Sequence, residues 1–227
     1  MLYNYPKQAH FGKMIAKSKI YEYADITTTL KDKFVAQIDK ITWQYKLAPE
    51  TINLTATPAV PEIQIFDIRL KGNDIDEALL RVIDKAIPFP IIYQIHRGDE
   101  VKIKAAYKRP SDADKSKWVI EAYVESDWMP EDTEKTALPI ALDLSKLYEQ
   151  MLKALIPKSL PIMETQGSMK EQMELIELIK AKERAYEKLR TKRDKEKQFN
   201  KKVKLNEELR ILKNELDKLK QNDKNPA

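Results

Sequence analysis

Leucines near the C-terminus repeat with the alternating spacing of a coiled coil. The residues that step by four, three, four and three positions are Leu205, Leu209, Leu212, Leu216 and Leu219. A helix that carries such a seam must bury it against another helix. An earlier amphipathic run begins at Ser168 and Glu171, which have the spacing of a capping box. The sequence therefore predicts charged helices of coiled-coil type over residues 168–221.

The two helical runs are separated by a basic segment that is almost free of apolar residues. A turn near Gln198, Phe199 and Asn200 would let the runs pair within one chain, whereas a continuous helix would pair between two chains. The loss of heptad register across the segment favours the hairpin, and the absence of Gly or Pro at the turn favours the continuous helix. We expect the hairpin, because each helix then buries the seam of the other, and the homodimeric coiled coil is the alternative.

The basic segment has two interpretations. Its cationic residues are Lys188, Arg190, Lys192, Arg193, Lys195, Lys197, Lys201, Lys202 and Lys204. The commoner role of such a segment is a solvated helix face. The functional interpretation is a contact with the phosphate backbone of DNA, since cations placed there release counterions. All of the excess positive charge of the chain, formally +5, lies after Pro157.

Residues 1–157 alternate between the helical and the strand pattern. Helical spacing relates Leu30, Phe34, Ile38 and Ile41, and it returns over 75–86 and 142–155. Strand-like alternation covers 43–47, 51–55, 62–70, 91–96, 101–107 and 118–126. We predict an α+β domain with a mainly antiparallel sheet of roughly five strands and helices on one face. An extended arm over 1–20 would precede it, and a linker over 158–167 and a disordered tail over 222–227 complete the predicted organisation.

The composition excludes several kinds of site. The chain has no cysteine, which excludes disulfides, thiolate nucleophiles and cysteine zinc sites. Its two histidines, His10 and His96, have no metal-binding spacing, and phosphate-binding glycine loops are absent. No apolar run reaches the roughly 18 residues of a membrane helix, and residues 1–19 lack the apolar core of a secretory signal. We therefore expect no cofactor, no membrane association and a cytoplasmic location.

One weak pattern suggests catalysis. Metal-dependent nucleases can place an Asp on one strand and a Glu-x-Lys on the next, because carboxylate oxygens bind Mg²⁺. Asp67 lies on one predicted strand, and Glu100 and Lys102 have the Glu-x-Lys spacing near the start of a later one. Such a tripeptide is also expected by chance in a chain rich in Glu and Lys.

Several segments together resemble one bacterial family, called domain of unknown function 4391. They are 19–22, 25–27, 34–43 (FVAQIDKITW), 62–70 (EIQIFDIRL), 81–90 (RVIDKAIPFP), 126–131 (SDWMPE) and 196–209 (EKQFNKKVKLNEEL). The resemblance covers nearly the whole chain and implies no established activity or catalytic residue. It also implies a genomic setting beside helicase and DNA-methyltransferase genes in restriction or phage-defence loci.

We therefore expect a non-catalytic accessory or interaction subunit of a bacterial DNA-modification or antiphage defence complex. Its partner would be a protein such as a helicase or DNA methyltransferase, with DNA as a second ligand. The alternatives are a metal-dependent nuclease that uses Asp67, Glu100 and Lys102, and a homodimeric scaffold joined through the leucine seam.

Overall fold

The computed structural model describes residues 2–24, 26–114, 117–161 and 168–221. The chain divides into two compact units, with the division after Ile156. Residues 162–167 of the predicted linker and the whole predicted tail lie outside the described residues. The first unit holds the sheet, and the second holds two long helices.

The first unit is built on a seven-stranded sheet. Six strands lie in the order β2 (His10–Met14), β3 (Ile38–Leu47), β4 (Ile63–Leu70), β5 (Ile91–Arg97), β6 (Glu100–Pro110) and β7 (Trp118–Glu125). Strand β8 (Met129–Pro130) also pairs with β6, and β1 (Tyr3–Asn4) pairs separately with β9 (Thr136–Ala137). Within the large sheet only β4 and β5 run parallel. The predicted α+β class with a mainly antiparallel sheet is confirmed.

The described residues of this unit form five α-helices: α1 (Lys17–Tyr23), α2 (Thr28–Gln37), α3 (Pro49–Ile52), α4 (Glu77–Ala86) and α5 (Leu144–Lys153). Side chains of Thr27, Asp76 and Asp143 cap the N-termini of α2, α4 and α5 by accepting backbone N–H bonds. Helix α4 connects β4 to β5, which is the crossover that a parallel pair requires.

The main apolar core lies between one face of the sheet and helices α1, α2 and α4. Ile20, Phe34 and Leu79 from these helices pack with Phe66 and Tyr93 from β4 and β5. Helix α5 contacts the opposite face, because Tyr148 stacks on Tyr107 of β6 with ring centroids 6.2 Å apart. The next residue, Lys108, points the other way, toward Asp84 of α4, as alternation along a strand requires.

Three local predictions were wrong. The predicted arm over 1–20 contains β2, which pairs with β3, and the start of α1. The predicted helical face from Leu30 to Ile41 is too long, because Ile38 and Ile41 belong to β3. A bulge between Ile38 and Lys40 lets both isoleucines be buried at a spacing of three. The predicted strand over 51–55 is interrupted by α3, which begins with Pro49 at its first position.

The second unit is a hairpin of α6 (Met169–Lys195) and α7 (Phe199–Gln221). The predicted capping box is confirmed: Ser168 and Glu171 exchange side chain to backbone bonds. The turn covers 196–198, and the two helices pack along each other. Lys182 bonds Glu215 at 2.6 Å and Lys220 bonds Glu183 at 2.7 Å across the pair. Leu205, Leu209 and Leu216 of the predicted seam are buried.

Candidate functional site

The nine cationic residues predicted from the sequence cluster at the turn of the hairpin, a region called here the hairpin tip (residues 188–204). Eight of them are exposed and Arg193 is half-buried. Arg190 pairs with Glu187 and Arg193 with Asp194. The seven lysines make no salt bridge with any carboxylate in the described part of the chain. Their charge is therefore available to an external anion.

The short turn concentrates this charge. Antiparallel packing brings Lys192 and Lys195, from the end of α6, to the same end of the hairpin as Lys201 and Lys202, from the start of α7. Hydrogen bonds from the backbone N–H groups of Gln198 and Lys197, together with the charges of Lys201 and Lys192, lower the pKa of Glu196. The Glu196 carboxylate therefore stays ionised. It accepts hydrogen bonds within the turn, and its single negative charge offsets only part of the positive charge of the hairpin tip.

The tip can recognise phosphate groups better than it can recognise bases. Phe199 is 79% exposed and Tyr186 is half-buried, so one aromatic ring at most is presented freely. Binding of single strands by stacking usually uses several such rings. The arrangement is typical of sequence-independent contact with a backbone.

The structure does not bring together the three residues of the nuclease hypothesis. Asp67, Gln94 and Ile103 form one row across β4, β5 and β6 and therefore share a face. Glu100 and Lys102 differ from Ile103 by odd steps along β6, so they point to the opposite face. Prediction of a joint metal site from Asp67, Glu100 and Lys102 was therefore wrong.

Each of these three side chains has a local partner instead. Asp67 accepts from Nε2 of Gln94 at 2.8 Å, Glu100 accepts from Nε of Arg97 at 2.9 Å, and Lys102 donates to Glu125 at 3.2 Å. Among the residues that the structure describes, no group of three or more His, Asp or Glu residues is arranged to hold a metal ion.

Sequence reasoning missed a cluster around His96 on the face that carries Asp67. Nδ1 of His96 lies 2.5 Å from Oε1 of Glu131, and Nε2 lies 3.7 Å from Oδ1 of Asp67. Arg69 lies 3.9 Å from Glu131. Burial alone would lower the pKa of His96, but the hydrogen bonds and negative charges of Asp67 and Glu131 outweigh it and raise the pKa. Glu131 reaches His96 only because β8 pairs with β6, which no local pattern reveals.

The architecture defines the chain as an α+β domain followed by a charged helical hairpin. The chain belongs to the family described as Domain of unknown function (DUF4391), whose sequence profile matches residues 3–216. The match includes the sheet domain and nearly all of the hairpin. No curated protein and no solved structure matches this chain. Within the described ranges, no helix has the length and apolar character needed to span a membrane.

Proposed function

We propose that this chain is a non-catalytic accessory subunit of a bacterial DNA-modification or antiphage defence complex. In this proposal the α+β domain binds a protein partner, such as a helicase or DNA methyltransferase, and the hairpin tip binds the DNA backbone. The setting and the identity of the partner rest on the family resemblance. The DNA contact rests on the unpaired lysines at the tip.

The charge at the tip carries the DNA part of the proposal. Lysines whose role is to form salt bridges between the two helices lie close to carboxylates, as Lys182 and Lys220 do farther along the same hairpin. The lysines of the tip lack such partners in the described residues, although carboxylates are frequent elsewhere on α6 and α7. Cations that form no internal salt bridge can neutralise phosphates and release their counterions.

Two side chains support a protein contact by the α+β domain. Ile140 is 97% exposed and Leu142 is 89% exposed, and both lie in the segment before α5. The two side chains are two positions apart, so this surface segment presents two apolar groups within three residues. Exposed apolar groups that lie together are a feature of protein interaction sites.

The DNA contact is tested by fluorescence anisotropy of labelled duplex DNA with the full chain at several salt concentrations. We expect a steep fall of affinity with salt. In a variant with Lys192, Lys195, Lys197, Lys201 and Lys202 changed to Gln, binding is weaker and the log–log slope falls by about 0.9 for each lost phosphate contact. The matched control changes five exposed lysines of the α+β domain to Gln: Lys13, Lys40, Lys85, Lys135 and Lys153. Equal weakening by both variants, or no binding by the wild type, would contradict the contact.

The protein contact is tested by affinity purification of the tagged full chain from its native host. We expect co-purification of an enzyme that acts on DNA, and loss of that enzyme when Ile140 and Leu142 are both changed to Ser. The matched control is Val35→Ser, at an exposed apolar residue of α2. Recovery of no DNA-acting enzyme would contradict the proposed setting.

A further inference from the structure

An aromatic side chain lies exposed at the turn of the hairpin. Phe199 is the first residue of α7, directly after the turn over 196–198, and it is 79% exposed. Its ring makes no aromatic contact and no cation–π contact with a described residue. Phe199 therefore contributes little to the packing of α6 on α7, and most of its ring is open to a ligand.

Exposed cations flank this ring in the sequence. Lys197 precedes Phe199 by two residues, and Lys201 and Lys202 follow it by two and three. All three lysines are exposed, and none forms a salt bridge with a described carboxylate. Proteins that bind nucleic acid through its backbone and the faces of its bases combine cations with aromatic rings in this way. The hairpin tip offers both kinds of group within six residues.

The number of rings restricts the kind of DNA that fits. Tyr186, the other aromatic residue near the tip, is half-buried, so Phe199 cannot share the stacking of successive bases along a single strand. In a continuous duplex each base pair is stacked on its neighbours, and insertion of a side chain costs the free energy of unstacking. Where one strand is interrupted, a base pair already exposes a face. One ring can cover that face without the cost.

We propose that the hairpin tip recognises duplex DNA that is interrupted by a gap in one strand, with Phe199 stacked on the base pair at the edge of the gap. Lys197, Lys201 and Lys202 bind phosphates beside the gap. This inference rests on the proposed DNA contact and adds a division of roles to it. The lysines supply affinity for any DNA backbone, and Phe199 supplies the preference for the interruption.

The test compares two dumbbell DNAs, which are short duplexes closed by a loop at both ends. One has an intact duplex, and the other lacks a few central nucleotides of one strand. The gapped DNA carries fewer phosphates, so charge alone would make it the weaker ligand. Fluorescence anisotropy with the full chain gives both affinities. We expect the gapped DNA to bind about five- to thirtyfold more tightly, since stacking of one base on an aromatic ring has an effect of that size.

Three variants assign the preference to the ring. Phe199→Leu keeps an apolar side chain and every lysine, so it should bind the gapped DNA no more tightly than the intact one, with unchanged salt dependence. Phe199→Tyr keeps a ring and should keep the preference. The matched control is Val203→Ala, at an exposed apolar residue one turn farther along α7, which should also keep it. All three changes are at exposed positions, so the variants are expected to fold, and circular dichroism checks this.

The outcomes separate this inference from the proposed DNA contact. If the wild type binds both dumbbells with equal affinity and a steep salt dependence, the gap preference is wrong and the backbone contact stands. Retention of the preference by Phe199→Leu, or its loss in Val203→Ala, would likewise overturn the role of the ring alone. If the wild type binds neither dumbbell, the proposed DNA contact is wrong and this inference fails with it.

Discussion

Lys108 and Asp84 form a salt bridge of 3.3 Å in which neither side chain is exposed to solvent. Burial lowers the pKa of Lys108 and raises that of Asp84, while their mutual attraction acts against both shifts. Nζ of Lys108 also donates to the backbone oxygens of Asp84 and Ile87 at 2.8 and 2.5 Å. One side chain from β6 therefore satisfies the carbonyls at the end of α4 and anchors the helix to the sheet.

Removal of the lysine should be strongly destabilising. Lys108→Met leaves Asp84 buried without its cation and the two carbonyls without their donor. We expect the free energy of unfolding to fall by about 3–5 kcal/mol, the usual cost of breaking a buried pair. Urea unfolding followed by circular dichroism measures the loss. The double variant Lys108→Met, Asp84→Leu should recover part of it, because no unpaired charge remains; a double variant that is less stable than the single one would contradict this account.

The His96 cluster should make stability depend on pH. Folded His96 has a raised pKa, so the folded chain binds the proton more tightly than the unfolded chain, whose value is near 6.5. Protonation therefore stabilises the fold. This contribution is complete below pH 6.5 and is lost as the pH rises through the folded pKa. Urea unfolding at a series of pH values should show the loss in the wild type.

Variants isolate that contribution. His96→Gln should remove the pH-dependent part that lies above pH 6.5, and His10→Gln should keep it. Glu131→Gln should reduce it, since Glu131 is one of the two carboxylates that raise the pKa. The same slope in wild type and His96→Gln would show that the cluster does not contribute.

Elements with one regular spacing of apolar residues could be predicted from the sequence. Contacts between residues far apart in the chain could not. The seam from Leu205 to Leu219 and the capping box at Ser168 are local, and both were predicted. Ile38 and Ile41 have a spacing typical of a helix although both lie in β3, because a bulge in that strand imitates a helical step. The hairpin tip was predictable as a charge cluster, whereas the link from His96 to Glu131 requires knowledge of the sheet order.

A variant at Asn53 tests why the predicted strand over 51–55 is interrupted by α3. It ends α3 in the left-handed region, with φ 51°, and its side chain is exposed. Left-handed conformations cost non-glycine residues about 1–2 kcal/mol, and Asn less than most. Asn53→Ala should lower the free energy of unfolding by about 1 kcal/mol, and Asn53→Gly should leave it equal or raise it. Urea unfolding of the pair decides, and equal destabilisation by both would show that the backbone conformation is not the cause.

The leucine seam is buried within the hairpin, so we expect that it does not join two chains and that the protein is a monomer. Leu209 is only 4% exposed and lies on α7, which packs along α6, so a second chain would have to disturb this packing to reach the leucine. Light scattering over a wide concentration range should give the mass of one chain.

Leu209→Ala should destabilise the hairpin by about 2–5 kcal/mol, seen as faster amide hydrogen exchange in α6 and α7 than in the sheet. Ile211→Ala, at an exposed residue two positions along the same helix, is the control and should change exchange little. If the mass of the wild type doubles with concentration and that of Leu209→Ala does not, the prediction is wrong and the seam joins two chains in a homodimer.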